Sequence, residues 1–154
     1  MARHLLVVHH SRTGSTRLLC DDALAGASEA GGAEVDIRNL GAFDAGPDDV
    51  AWAEAVMLLT PANFGYMSGA LKDFFERIYH ACLGATAGLP YALVVKGDTD
   101  ADGAVTSVER IVAGLKWRLL QPALVVVGPL GDEHRAAARE LGATLAASLE
   151  AGII

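Results

Sequence analysis

The sequence predicts an α/β domain built on a five-stranded parallel sheet with helices on both faces. Short apolar runs rich in β-branched residues alternate strictly with helical stretches along all 154 residues. Several of these runs are continuously apolar, as expected of strands buried on both faces. No linker, internal repeat or low-complexity tract interrupts them, so one domain over residues 1–154 is expected.

The elements follow in order. HLLVVH (4–9) reads as a buried strand. Residues 1–8 loosely suggest a secretion signal, but the apolar run is short and ends at His9-His10, which favours the strand. Thr16 to Ala30 has helical composition, and Gly31-Gly32 ends it. EVDIR (34–38) alternates like an edge strand. The following stretch is loop-like, with Pro47 opening a turn or short helix. EAVMLLT (54–60) is a second buried strand, and PANFGYMSG (61–69) is expected to be loop. Ser68 can cap the next helix, which places Leu71, Phe74 or Phe75, Ile78 and Cys82 on one face. Tyr91 to Lys96 is a third buried strand introduced by Pro90, and Gly103 to Trp117 is helical. PALVVVG (122–128) is the last strand, and 132–151 an amphipathic helix carrying Leu141, Leu145 and Leu149. Strict alternation requires parallel neighbours joined by crossover helices.

Composition narrows the function classes. Twelve basic and 19 acidic residues leave a net charge of −7, which disfavours nucleic acid and anionic membranes. No apolar run reaches membrane-spanning length, and a cytoplasmic protein is expected. Cys20 and Cys82 are too few for a disulfide scaffold and fit no zinc spacing, so both read as free thiols on helices.

In an open doubly wound sheet, ligands sit beyond the carboxyl ends of the strands. The first such loop is HHSRTGSTR (9–17). Ser11, Thr13, Ser15 and Thr16 supply hydroxyls, Gly14 permits a tight turn, and the start of a helix supplies N–H groups. That set suits one phosphate. It is neither a Walker A loop nor G-x-G-x-x-G, and it contains no lysine. Arg12 either pairs with the anion or faces solvent.

The hydroxyl loop S-R-T-G-S-T (11–16) resembles the S/T-x-T-G-x-T phosphate loop of the flavodoxin-like family, which binds FMN. The order of elements is similar along the whole chain. The resemblance implies a three-layer sandwich with strand order 2-1-3-4-5 and non-covalent FMN at the switch between strands 1 and 3. Flavodoxins usually carry an aromatic where His9 stands, and often a small residue at the position of Cys20.

The second loop, Thr60 to Arg77, resembles the corresponding segment of flavodoxin-like NAD(P)H-dependent FMN and quinone reductases. Within it, Pro61, Ala62, Asn63, Phe64, Gly65 and Tyr66 are implied to border the flavin ring. Phe64 and Tyr66 flank a flexible glycine, which suits a flat heteroaromatic. Core packing or a subunit contact would use the same residues. Phe74 and Phe75 are assigned to the core.

The third loop is KGDTDADGAVTSVER (96–110). From Asp98 to Glu109 it fits D-x-D/N-x-D/N-G-x5-E, the EF-hand calcium loop, with Asp98, Asp100 and Asp102 leading, Gly103 at the turn and Glu109 closing. A strand rather than a helix precedes it. The family resemblance instead implies that Gly97 and Asp98 meet the pyrimidine edge of the flavin, with Glu109 on a solvated helical face. The acidic residues at 98, 100 and 102 would then lower the flavin potential.

No aromatic lies between Tyr91 and Trp117, which leaves one flavin face open to a nicotinamide or quinone. The expectation is therefore an NAD(P)H-dependent flavin or quinone reductase in which the flavin carries the chemistry and no side chain is catalytic. A non-enzymatic electron carrier is the alternative, and a calcium-binding loop protein a remote one. A deazaflavin would fit the same phosphate loop. Partners are expected to be small-molecule electron donors or acceptors, and a homo-oligomer is compatible because related reductases form them. His9 and His10 read either as proton donors or as packed strand ends. Tyr79 and His80 suggest core or subunit contacts, His4 and His134 surface positions, and Trp52 and Trp117 core or interface.

Overall fold

Strand β1 (Arg3–His9) is an interior strand of the sheet, with Leu5 to Val8 fully buried. The computed structural model describes every residue from Met1 to Ile154. Helix α1 (Ser15–Gly31) leads back to β2 (Val35–Gly41), which pairs with β1 in parallel. A short helix α2 (Pro47–Trp52) then precedes β3 (Ala55–Asn63) on the other side of β1. Strand β4 (Tyr66–Met67) folds back on β3, and helix α3 (Gly69–Cys82) follows. Strand β5 (Pro90–Gly97) joins β3 in parallel and is buried along its whole length. Helix α4 (Asp102–Leu115), strands β6 (Arg118–Leu119) and β7 (Leu124–Val127), and helix α5 (Asp132–Glu150) complete the chain.

The long strands lie in the order β2-β1-β3-β5-β7, all parallel, which is the expected 2-1-3-4-5. The sheet has seven strands rather than five. The segment expected to be a loop at 61–69 instead continues β3 to Asn63 and forms a hairpin with β4. The expected last strand, 122–128, is confined to Leu124–Val127, and β6 adds a separate two-residue piece to the same edge of β5. Pro122 lies in the gap between them. It has no N–H to donate, so the edge ladder breaks there.

Strand alternation divides the buried side chains into two cores. Leu6, Val8, Val56, Leu58, Leu93 and Val95 face α2, α3 and α4, where they meet Leu71, Phe74, Phe75, Ile78, Val108 and Trp117. Leu5, Val7, Met57, Leu59, Ala92 and Val94 face α1 and α5. Burying both faces of the three central strands explains their unbroken apolar runs.

Helices α1 and α5 pack against each other through small residues. A Cβ at Gly26 would collide with the Arg139 carbonyl oxygen, and one at Gly142 with the Ala23 carbonyl oxygen. Glycine is required here for backbone approach rather than for torsion, because neither has positive φ. Ion pairs Arg135–Asp22 and Arg139–Glu29 rim the contact.

His4, expected at the surface, is partly buried. Its ring stacks on Trp52 at 4.2 Å between centroids, and its Nδ1 lies 3.0 Å from the Trp52 carbonyl oxygen. It closes the amino-terminal end of the sheet, opposite the loops of interest. Trp117 is core, with its Nε1 donating to Thr86 Oγ1 at 2.9 Å. Both cysteines are buried free thiols, and burial pushes Cys20 up to about 12.

Gly142→Ala should lower unfolding free energy by about 1–3 kcal/mol, because only separation of the two helix backbones can relieve the clash. Urea denaturation checks this; an unchanged midpoint would mean α1 and α5 are not held that tightly.

Candidate functional site

The carboxyl ends of β1, β3 and β5 are adjacent, so the loops that leave them converge on a single cleft of about 340 Å³. Arg12, Thr13, Ser15 and Thr16 line it from the first loop, Pro61, Ala62 and Asn63 from β3, and Lys96 and Asp98 from β5. Eight of these nine are expected site residues. Lys96 is the one that sequence reasoning missed. A wider hollow of about 670 Å³ lies between α4 and the edge strands, but its charged residues, Asp102 and Glu109, are both acidic.

In the first loop, the Gly14 N–H donates to Ser11 Oγ at 3.1 Å. This bond spends Ser11 on shaping the turn. Gly14 has a left-handed backbone, φ 105°, and supplies no side chain to cap the first turn of α1. The first turn carries no acidic residue either. Its N–H groups and the positive end of the helix dipole are therefore left to whatever occupies the cleft. Thr16 is buried and Arg12 exposed, without a protein carboxylate beside it. The donors suit a phosphate.

The second loop is a tight hairpin. Asn63 pairs with Tyr66, and the turn residues Phe64 and Gly65 both have positive φ, 52° and 69°. Such a two-residue turn matches the twist of its strands, although phenylalanine tolerates this backbone poorly. The phenylalanine ring stands fully exposed at the tip, and Tyr66 is also exposed. Neither lies in the core, and neither lines the cleft.

Buried bonds hold this hairpin in place. Thr60 Oγ1 donates to the Pro61 carbonyl oxygen at 2.8 Å and accepts from the Ser68 N–H at 3.0 Å. Ser68 Oγ accepts from the Leu71 N–H at 3.2 Å and caps α3, as expected. The Met67 N–H donates to Ser107 Oγ on α4 at 3.1 Å. Gly103, at the start of α4, has the Gly65 carbonyl oxygen where a Cβ would be. Arg77, the last residue of the Thr60–Arg77 segment, serves another loop: it donates to the carbonyl oxygens of Ala42 and Ala45 at 2.6 and 2.8 Å.

The third loop does not take an EF-hand shape. Helix α4 begins at Asp102, so the stretch that would wrap a cation is helical from there through Glu109. Asp100 Oδ1 accepts from the Asp102 N–H at 3.0 Å, holding the start of the helix. No group of three or more His, Cys, Asp and Glu side chains is placed to hold a metal ion. Gly97 is buried, and its carbonyl oxygen accepts from the Gly128 N–H at 2.9 Å and from Lys96 Nζ at 3.1 Å.

Lys96 alters the expected electrostatics. It is 8% exposed, and its Nζ lies 3.4 Å from Asp98 Oδ1 on a side chain that is 99% exposed. Of the acidic residues at 98, 100 and 102, only Asp98 lines the cleft, and the buried ammonium beside it offsets its charge. The detectable signal was a lysine ending the apolar run ALVV, where a buried strand has no ordinary use for one.

His9 is half-buried, and burial followed by the nearby Arg17 lowers its pKa from 6.5. His10 instead packs edge-on to Phe43. No helix is long and apolar enough to cross a membrane.

Two outcomes follow from these contacts. Gly103→Ala should cost about 1–3 kcal/mol and release the hairpin from α4. The readout is hydrogen exchange, with faster exchange at the Met67 amide than in the parent. Because the folded state disfavours protonated His9, its contribution to stability is complete above the unfolded pKa of 6.5 and falls as pH drops below it. Urea midpoints at about pH 7.5 and about pH 5.5 should therefore differ less in His9→Gln than in the parent chain.

Comparison with known proteins bears on the same loops. No protein-family model matches the chain. A flavodoxin from Aquifex aeolicus (strain VF5) is 26% identical over 158 aligned residues, covering 92% of this chain and 84% of its own length. An NAD(P)H dehydrogenase (quinone) from Acidithiobacillus ferrooxidans (strain ATCC 53993 / BNL-5-31) is 28% identical over 91 residues, covering 47% of this chain and 46% of its own. Among solved structures, a flavodoxin from the domain Archaea superposes with a TM-score of 0.82 at 17% identity, over 96% of this chain and 99% of its own. A WrbA-like flavodoxin from Agrobacterium tumefaciens gives 0.76 at 16% identity, over 94% and 96%. The structures share the fold, and the similarity to the Aquifex protein runs through nearly the whole sequence: this chain has a flavodoxin-like fold and is similar in sequence to a flavodoxin.

Proposed function

We propose that the cleft binds FMN non-covalently and that the protein is a flavin-dependent redox protein, working as an NAD(P)H-dependent flavin or quinone reductase. The observation that carries the flavin reading is the donor set of the cleft. Hydroxyls of Thr13, Ser15 and Thr16, the uncapped start of α1, Arg12 and the buried Lys96 converge beside an apolar wall of Pro61 and Ala62. A phosphate needs the first group of partners and a flat ring the second.

Bound FMN supplies reversible one- and two-electron chemistry. The chain contributes binding, orientation and exclusion of water. The first loop holds the phosphate end. Residues 61–63 border the ring, and attachment of their hairpin to α4 fixes their distance from the Gly97–Asp98 backbone. A polar ring edge would meet the N–H side of that backbone, because the Gly97 carbonyl oxygen is already bonded to the Gly128 N–H and to Lys96 Nζ. No side chain in the cleft is required as a proton donor.

The reductase reading rests on the third loop. Residues 97–101 contain no aromatic, and Asp98 and Asp100 are exposed, so nothing from this loop covers the outer side of the cleft. A nicotinamide or quinone then has room to stack. The partial similarity to a quinone dehydrogenase supports the same reading. A carrier reading is favoured by a different observation, the similarity to a flavodoxin over nearly the full length. In that case the acidic surface, net charge −7, docks a basic redox protein.

Anaerobic absorbance of the FMN-loaded protein before and after NADPH tests the assignment. Rapid loss of the yellow band is expected of the reductase. Persistence of the band with NADPH and with NADH, but loss with dithionite, would overturn the reductase in favour of the carrier. A chain that retains no flavin would overturn both.

A further inference from the structure

We propose that Lys96 selects the phosphate of FMN: its ammonium joins the start of α1 in holding the phosphate, and Asp98 occupies that ammonium until the phosphate arrives. The inference rests on the flavin reading above. Strand alternation brings Lys96 there. Ala92 and Val94 point into the core beneath α1 and α5, and Lys96 continues the same series past the end of that core. It emerges into the cleft lined by Thr13, Ser15 and Thr16.

A buried lysine is costly unless its charge is answered. Here the answer within the chain is incomplete. The ammonium has three N–H donors. One meets the Gly97 carbonyl oxygen at 3.1 Å. The only carboxylate nearby is Asp98, at 3.4 Å, beyond the usual length of a charge-assisted bond. Its side chain is 99% exposed and therefore well solvated. An exposed anion over a buried cation is readily exchanged for another anion. The uncapped first turn of α1 makes a second, independent demand for negative charge in the same cleft. Arg12 supplies charge from the solvent side, but as an exposed side chain it is less constrained.

Calorimetric titration of the flavin-free full-length chain with FMN, riboflavin and inorganic phosphate tests this. The parent should bind FMN more tightly than riboflavin. Lys96→Met should weaken FMN about 10- to 100-fold while leaving riboflavin within about threefold, the loss expected for one charge-assisted contact. Unchanged riboflavin binding also shows that the variant is folded. Lys96→Arg should recover most of the preference for FMN. Asp98→Asn should strengthen binding of inorganic phosphate, because the competing carboxylate is gone. Equal weakening of FMN and riboflavin by Lys96→Met would overturn the proposal and place the ammonium under the ring or ribityl chain. Unchanged FMN affinity in that variant, or a parent that binds both flavins equally, would also overturn it while the flavin reading stands. A parent that binds neither flavin would remove the flavin reading itself, and this inference with it.

Discussion

Burial of a parallel ladder on both faces is the constraint on which the remaining structure depends. Strands β1, β3 and β5 have apolar side chains above and below, so helices must cover both sides. Parallel pairing sends every connection across a face and returns each strand in the same direction. All the carboxyl ends therefore open on one edge. The three loops that leave it are brought together by the strand order, although the sequence separates them widely.

At that edge the polar backbone must find new partners, and it does so between loops. Thr60 and Ser68 close the base of the β3–β4 hairpin. Ser107 holds its second strand and Gly103 lies against its tip, both on α4, and Asp100 holds the start of α4. The second and third loops thus form one interlocked body. A cleft of this kind is largely shaped before any ligand enters, which limits the ordering cost of binding. The first loop differs. Ser11 shapes its turn, but its helix start has no capping side chain.

Charge is distributed unevenly around this arrangement. The chain as a whole is acidic, with a net charge of −7, yet the cleft contains Arg12 and the buried Lys96. A local cationic site in an acidic molecule favours a small anionic group over a large anionic polymer, because the surrounding surface repels the latter. Asp98 stands exposed at the edge of the cleft, and Asp100 is turned to the start of α4.

The sequence by itself determined the architecture and most of the residues that line the cleft. Continuous apolar runs, the glycine pair that ends α1, Ser68 as a cap and Pro47 at the start of α2 are local signals, and each element they imply is present. The hydroxyl loop at 11–16 was legible because hydroxyls gathered at a helix start add donors to its free N–H groups, the combination an anionic acceptor needs. Only the tertiary structure decided the rest. The 61–67 hairpin resembles a loop in sequence because its turn uses Phe64, which sequence preference does not mark as a turn residue; contacts with Gly103 and Ser107 hold it. The edge strand splits at Pro122 because β5 offers partners on both sides of it. Gly103 resembled the turn of a calcium loop, whereas it is needed for the approach of Gly65, 38 positions earlier in the numbering of the chain. Lys96 was visible as a lysine at the end of an apolar strand, but its meaning depends on the α1 start and Asp98 meeting it across a cleft. Local sequence sets which way a side chain points along its strand; what it meets there is set by segments distant in the chain.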